Sequence, residues 1–230
     1  MLRNPTARQN LVQQLVQYVV NQNNPGLVAD FEEIPPGSQK DFSNFIGELA
    51  AGLHSASLKL MVALPAGDWD YDYAGIAKDS DAIIVMDYDQ YSQDTQSGPI
   101  AAQDWYVARL QAVLKVVPAQ KVVAGVANYA YDWTEPVGKA KRQPAQIDTF
   151  QGAAVTASES KANIDFDSDT LNPNFSYYDE HNQVHHVWML DGVTAYNELR
   201  AAERLGVQGT ALWRLGSEDG SCLLYTSRCV

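Results

Sequence analysis

Apolar residues occur in this chain in two patterns, short runs with few polar residues and longer segments with helical spacing. Five runs predict strands, and they lie at residues 27–29, 58–64, 82–86, 121–127 and 209–214. Runs that are apolar at every position, rather than at every second one, are typical of parallel strands buried on both faces. The first run follows a turn signal, Pro25-Gly26.

Four segments between these runs repeat apolar residues at three- or four-residue steps and predict helices. They cover residues 11–19, 42–53, 105–114 and 195–205. Ser38 is the expected N-cap of the second helix and Asp191 of the fourth, which Gly206 is placed to end. Strands that alternate with helices about every 30 residues predict an α/β protein built from βα units.

The segment from residue 129 to 190 is too long for a plain βα connection. We predict a weak helix at 144–156 within a small β-rich insertion at 143–190. Its best hairpin pairs 175–178 with 184–188 across a turn at 179–182. Three of the four histidines lie there, at 181, 185 and 186. A metal site is the alternative, but hairpin surface or groove wall is the favoured interpretation.

Asp30 and Glu32 end the first run. Residues alternate sides along a strand, so both carboxylates are expected on the same side. Two neighbouring carboxylates raise one pKa and can keep a proton donor loaded near neutral pH. A strand running into a solvated acidic loop, which Glu33 would continue, explains the pair equally well.

Polar and aromatic residues also follow later runs: Tyr88 and Asp89 after the third, Asn128 and Tyr129 after the fourth, and Trp213 within the fifth. The carboxyl ends of the strands are where a parallel β/α barrel builds its active site. From the residues alone, packing explains the aromatic side chains and Asn128 equally well or better, and Asp89 could cap a loop.

The composition describes a globular domain, with 46% hydrophobic and 19% charged residues. The formal net charge of -12 argues against nucleic acid and anionic membranes as partners and favours a neutral substrate. Residues 222–230 resemble the translation of a transposon-end sequencing adapter, and we expect them to be non-native. Both cysteines lie there, so the remainder predicts no disulfide.

Four motifs in order resemble the family 18 glycoside hydrolases, the chitinase-like enzymes. Residues 26–32 resemble the D-G-x-D-x-D-x-E signature, with Asp30 and Glu32 at its last two acidic positions. Residues 86–89 resemble M-x-Y-D, 125–129 resemble the segment on the next barrel strand, and Trp213 resembles the tryptophan that floors the sugar subsite.

The resemblance implies a partial TIM barrel over residues 1–221, in which 27–32 would be the fourth strand. About the first three strands, on the order of 90 residues, would precede Met1. The sequence is most similar to bacterial spore-cortex and cell-wall hydrolases and to the hydrolase domain fused to polysaccharide deacetylase and glycosyltransferase domains. An extracellular or cell-envelope location is the expectation.

The implied reaction is retaining hydrolysis of a β-linked N-acetylglucosamine polymer, assisted by the substrate's own acetamido group and without metal or organic cofactor. Glu32 would be the general acid and base, and Asp30 would raise its pKa and steady the acetamido N–H. Tyr88 would hold the acetamido oxygen, and Asp89 would support it or bind a hydroxyl. Trp213 would stack under the sugar, with Asn128 and Tyr129 as further sugar contacts.

The sequence departs from the signature at its first two acidic positions, which hold Pro25 and Val28. Loss of the inner acid at Val28 favours an alternative function, a non-catalytic carbohydrate-binding domain on the same barrel. We also expect little activity from residues 1–230 alone.

Overall fold

The structure is a computed structural model and describes residues 1–31 and 34–222. Its helices are α1 Pro5–Asn21, α2 Gln39–Ser55, α3 Tyr73–Asp79, α4 Gln103–Leu114, α5 Phe150–Ser160 and α6 Gly192–Arg204. Its strands are β1 Gly26–Asp30, β2 Lys59–Pro65, β3 Ala82–Met86, β4 Val122–Ala127, β5 Tyr129–Thr134, β6 Gln146–Thr149, β7 Asp165–Phe166, β8 Pro173–Tyr178, β9 Val184–Met189 and β10 Gly209–Trp213.

The five predicted strands form one sheet in the order β1-β2-β3-β4-β10. Strands β1 to β4 pair in parallel, with Leu27 opposite Leu60 and Ile84 opposite Val123. Helices connect the successive strands, as the alternating pattern predicts. The prediction of an α/β fold with part of a TIM barrel is confirmed.

The chain divides into two compact units. Among the described residues, the first contains 1–31, 34–86, 109–124 and 205–209, and the second contains 87–108, 125–204 and 210–222. In the first unit, α2 contacts β2, α1 and α3. The apolar face of α2 is fully buried at Phe42, Phe45 and Leu49.

The prediction that every run is buried on both faces is wrong for the two edge strands. Val28 of β1 is 48% exposed and Trp213 of β10 is 42% exposed. Each edge strand has one neighbour within the described chain, so fewer side chains cover it. Strand β4, in the sheet interior, is buried at every position.

Three local expectations need correction. Ser38 precedes α2, but its side chain makes no cap hydrogen bond and accepts one from Arg3 Nη2 instead (3.2 Å). The helix expected at 144–156 lies at Phe150–Ser160, because β6 occupies the residues before it. Of the three residues predicted to form the buried face of α4, Leu110 is fully buried, but Trp105 and Leu114 are only partly buried. Tyr106 and Val113 complete the buried face instead.

Helix α6, the fourth of the predicted helices, has the predicted ends. Asp191 Oδ1 accepts a hydrogen bond from Thr194 N (2.8 Å), and Gly206 follows the helix with a φ of 72°. A positive φ strains residues that carry a Cβ, so glycine suits this position.

The second unit contains an antiparallel sheet in the order β6-β5-β9-β8-β7. The predicted hairpin is present, with Phe175 opposite Val187 and Tyr178 opposite Val184. Asp179 Oδ1 accepts hydrogen bonds from His181 N (2.9 Å) and Gln183 N (2.7 Å) and so shapes the turn. The first strand of this sheet in chain order is β5, so the segment that forms the sheet begins at residue 129.

The histidines of the hairpin make polar contacts within this sheet. His185 Nδ1 lies 2.8 Å from Asp132 Oδ1, and His186 Nε2 lies 2.9 Å from Glu135 Oε1. Among the residues that the structure describes, no group of three or more His, Cys, Asp or Glu could hold a metal ion. In the same part of the chain, no helix has the length and apolar character needed to cross a membrane.

Candidate active site

Asp30 is the last residue of β1, in the first unit, and its side chain is exposed. It shares the exposed side of the strand with Val28, whereas Ala29 between them is buried. Phe31 follows and packs its ring on Phe42 and Phe45, with centroids 5.5 and 5.6 Å apart. This packing anchors the chain directly after Asp30.

Glu32, the predicted general acid, lies outside the described residues together with Glu33. The prediction that Asp30 and Glu32 share one side of the strand therefore stays a prediction.

In the second unit, two phenols hold the carboxylate of Asp89. Tyr129 and Tyr131 both donate their hydroxyl hydrogen to Asp89 Oδ1, at 2.5 and 2.9 Å. Asp89 has a φ of 62°, in the left-handed region that aspartate tolerates better than most residues. The turn after β3 and two bonds from β5 thus fix the position of one carboxylate oxygen.

The two phenols remain donors at neutral pH. Burial, and then the charge of Asp89, raise the pKa of Tyr129 and of Tyr131 well above the ordinary tyrosine value. Both hydroxyls therefore keep their protons, and Asp89 accepts two charge-assisted hydrogen bonds.

Tyr88 is half-buried and belongs to the same cluster. Its ring stands edge-on to the ring of Tyr129, with centroids 6.3 Å apart. The aromatic contacts continue along β5 from Tyr129 to Tyr131 (5.2 Å) and from Tyr131 to Trp133 (5.3 Å). An aromatic face of β5 therefore supports Tyr88 and Asp89.

Asn128 connects the ends of β4 and β10. Its Nδ2 donates to Arg214 O (2.9 Å), and its Oδ1 accepts from Arg214 N (2.7 Å). Its backbone N–H donates to Trp213 O (3.0 Å). Asn128 is only 1% exposed. Its hydrogen bonds hold the backbone at Trp213 and Arg214 in position, whereas the side chain of Trp213 is accessible.

Five of the seven predicted site residues lie in the second unit. Hydrogen bonds and ring contacts link Tyr88, Asp89 and Tyr129 there. Separate hydrogen bonds link Asn128 to the backbone at Trp213. Asp30 belongs to the first unit. Tyr131, the second partner of Asp89, is not among the site residues predicted from the sequence. The signal for it was the alternation of Tyr129, Tyr131 and Trp133, which places three aromatic side chains on one face of a strand.

Comparison with known proteins identifies the family. The family model of the glycosyl hydrolases family 18 matches residues 1–218. The chain is 28% identical to the "Uncharacterized glycosylase YvbX" of Bacillus subtilis, over 96% of this chain and 66% of that protein. It is 25% identical to the cortical fragment-lytic enzyme of the same species, over 94% of this chain and 52% of that enzyme.

The solved structures agree with the sequence comparison. The crystal structure of a chitinase from Chromobacterium violaceum matches with a TM-score of 0.88 and 25% identity, covering 97% of this chain and 71% of that one. The chain spans about half to two thirds of the length of the curated relatives described above.

Proposed function

The chain belongs to the glycosyl hydrolases family 18, and from this membership we propose that it hydrolyses a β-linked N-acetylglucosamine polysaccharide with retention of configuration. The observation that carries the proposal is the fixed carboxylate of Asp89 beside Tyr88, at the carboxyl end of a parallel strand. Parallel β/α folds build their active sites at that end of the sheet.

The reaction divides between the substrate and the protein. The acetamido oxygen of the sugar attacks the anomeric carbon, and Glu32 donates a proton to the leaving oxygen. Glu32 then removes a proton from the water that opens the cyclic intermediate. Asp30 stabilises the acetamido N–H during this sequence.

Tyr88 and Asp89 hold the acetamido group in line for attack, which lowers the entropic part of the barrier. Asp89 is suited to this because Tyr129 and Tyr131 occupy Oδ1, so its orientation does not have to be fixed during the reaction. Trp213 offers an exposed ring on which the sugar can stack, and Asn128 holds the backbone beside it.

The names of the relatives suggest the class of polymer and the place where it is cleaved. One relative is a cortical fragment-lytic enzyme and one structural neighbour is a chitinase. We propose that the substrate is a cell-wall or chitin-like polymer and that the protein encounters it at the cell envelope. We also propose that the full-length protein carries fused deacetylase or glycosyltransferase domains.

A second candidate function is carbohydrate binding without cleavage. It is favoured by Val28, which occupies the inner acidic position of the family signature and presents an apolar, 48% exposed side chain beside Asp30. A valine cannot carry the charge that would support Asp30 through the reaction.

The test compares Glu32→Gln with Glu33→Gln in both the 230-residue chain and the product of the complete gene. In the complete product, Glu32→Gln should abolish release of reducing sugar from chitin oligosaccharides and preserve their binding, whereas Glu33→Gln should keep both. The product anomer should be β, and oligomers of unacetylated glucosamine should resist cleavage, because they lack the attacking oxygen.

The outcomes separate the two functions. If the unmodified complete product binds the oligosaccharides and never cleaves them, the hydrolase proposal fails and the binding function stands. Robust turnover by residues 1–230 alone would contradict the prediction of little activity from this chain.

A further inference from the structure

Three polar side chains from three elements meet in the interior of the second unit. Asp87 follows β3, Tyr106 lies on α4 and Glu198 lies on α6, and all three are fully buried. Gln103 Nε2, one helical turn before Tyr106, donates to Asn197 O (3.3 Å) and holds α4 against α6 at this point.

Glu198 lacks the partners that a buried carboxylate needs. Neither carboxyl oxygen accepts a hydrogen bond from any described N–H or O–H group, and the hydroxyl of Tyr106 likewise has no hydrogen-bond partner there. No cation lies within ion-pair distance of Glu198 in the described part of the chain. An ionised and uncompensated carboxylate in such a place is very costly, so the group binds a proton instead.

The electrostatics agree with this geometry. Burial, and then the negative charge of Asp87, raise the pKa of Glu198 well above its ordinary value. Burial, and then the charges of Glu198 and Asp87, raise the pKa of Tyr106. Both carboxyl groups therefore act on one phenol, which shows that the three groups form one cluster.

A protonated carboxyl is a hydrogen-bond donor, and two carboxyl groups can bond to each other only when one of them carries a proton. We propose that Glu198 holds one proton and donates it in a hydrogen bond to Asp87, and that this buried acid pair positions Tyr88 and Asp89. The positioning half of this inference rests on the function proposed above.

The consequence for the site comes through the chain. Asp87 directly precedes Tyr88 and Asp89, so a bond from α6 to Asp87 fixes the backbone from which both side chains extend. Glu198 is thus a positioning residue that acts through Asp87 and touches no substrate. Loss of its proton would place two like charges side by side and would loosen this stretch of backbone.

The test uses Glu198→Gln, which keeps the shape and a donor but cannot ionise. Its matched control is Glu203→Gln on the same helix, where the side chain is 67% exposed and pairs with Arg200. Infrared spectra at neutral pH should show the C=O band of a protonated carboxyl in the unmodified protein and in the control, and no such band in Glu198→Gln. A band that survives this substitution, or is missing from the unmodified protein, overturns the proton assignment.

The pH dependence of unfolding gives a second readout. A raised pKa in the folded state means that stability is full below the unfolded value and is lost as pH rises through the folded value. The urea midpoint of Glu198→Gln should therefore rise relative to the unmodified protein as pH increases from the unfolded-state pKa of Glu198 toward its raised folded-state pKa, while that of Glu203→Gln stays parallel. Parallel curves for Glu198→Gln would refute the pair.

Should Glu198→Gln fail to fold, Asp87→Asn serves in its place. It keeps an acceptor for Glu198 and removes the repelling charge, so the infrared band should persist, and its disappearance would refute a proton on Glu198.

Hydrolysis assays test the positioning role. Glu198→Ala, which removes the donor to Asp87, should lower kcat with little change in KM, and Glu198→Gln, which keeps a donor, should restore most of it. A kcat for Glu198→Ala equal to that of the unmodified protein would overturn the positioning role. If the unmodified protein cleaves no substrate, the proposed function fails, while the infrared and unfolding results still decide whether the acid pair exists.

Discussion

Replacing Tyr129 by phenylalanine removes one hydroxyl from the Asp89 cluster and leaves the ring. The ring contacts with Tyr88 at 6.3 Å and Tyr131 at 5.2 Å should therefore remain. What is lost is one of the two hydrogen bonds to Asp89 Oδ1. The change in stability then measures that bond.

A hydrogen bond to a charged group contributes about 1.5–3 kcal/mol to stability. We expect the lower end, because Asp89 is exposed to water and Tyr131 still donates to the same oxygen. With a urea m-value of about 3 kcal/mol/M for a chain of this size, a loss of about 1.5 kcal/mol lowers the midpoint by about 0.5 M.

The assay is urea unfolding at neutral pH, followed by circular dichroism, with Tyr18→Phe as the matched control. Tyr18 lies on α1 and is 59% exposed, so its hydroxyl should contribute almost nothing. Removing Tyr129 and Tyr131 hydroxyls together should cost more than the sum of the single changes, because the second change removes the last phenol from Oδ1. A Tyr129→Phe midpoint equal to that of Tyr18→Phe would refute this account of Asp89.

Two further predictions concern single side chains. Glu48 accepts two hydrogen bonds from Arg8, which lower its pKa below the ordinary value of 4.5. Glu48→Gln should therefore reduce the urea midpoint at pH 7, and the deficit should shrink below pH 4.5 and vanish as pH falls through the lowered folded-state pKa. A deficit that does not change with pH would contradict the pairing. Trp213→Ala should weaken binding of chitin oligosaccharides by about threefold to tenfold, the effect of a contact of about 1 kcal/mol, whereas Trp69→Ala, which removes a 52% exposed ring in the first unit, should not; titration by intrinsic fluorescence distinguishes them.

The sheet could be predicted because its signal is local. Apolar runs such as 82–86 and 122–127 are short for helices and are typical of strands in a sheet covered on both faces, and all five predicted runs became strands of one sheet. The hairpin could be predicted for a similar reason, since two β-rich segments flank a short polar turn.

What escaped prediction depends on packing between distant segments. A hydrophobic pattern assigns glutamate to the solvent, so it could not show that Glu198 is buried or that Asp87 acts on it. On α4 the prediction chose Trp105 in place of Tyr106, because tryptophan is the more apolar residue, although Trp105 is the less buried of the two. The exposure of Val28 follows from its position at a sheet edge, which composition does not encode.

The segment that carries the antiparallel sheet leaves and re-enters the fold through neighbouring positions. Ala130 is paired with Met189, and Leu190 N donates to Tyr129 O (3.1 Å). These contacts hold the two ends of the segment together. Lengthening the far turn at 179–183 should therefore cost little loop-closure entropy and should leave the pairing of Ala130 with Met189 intact. The far turn is therefore the place where this segment can be extended, whereas its base, with Tyr129 and Tyr131, has to be kept.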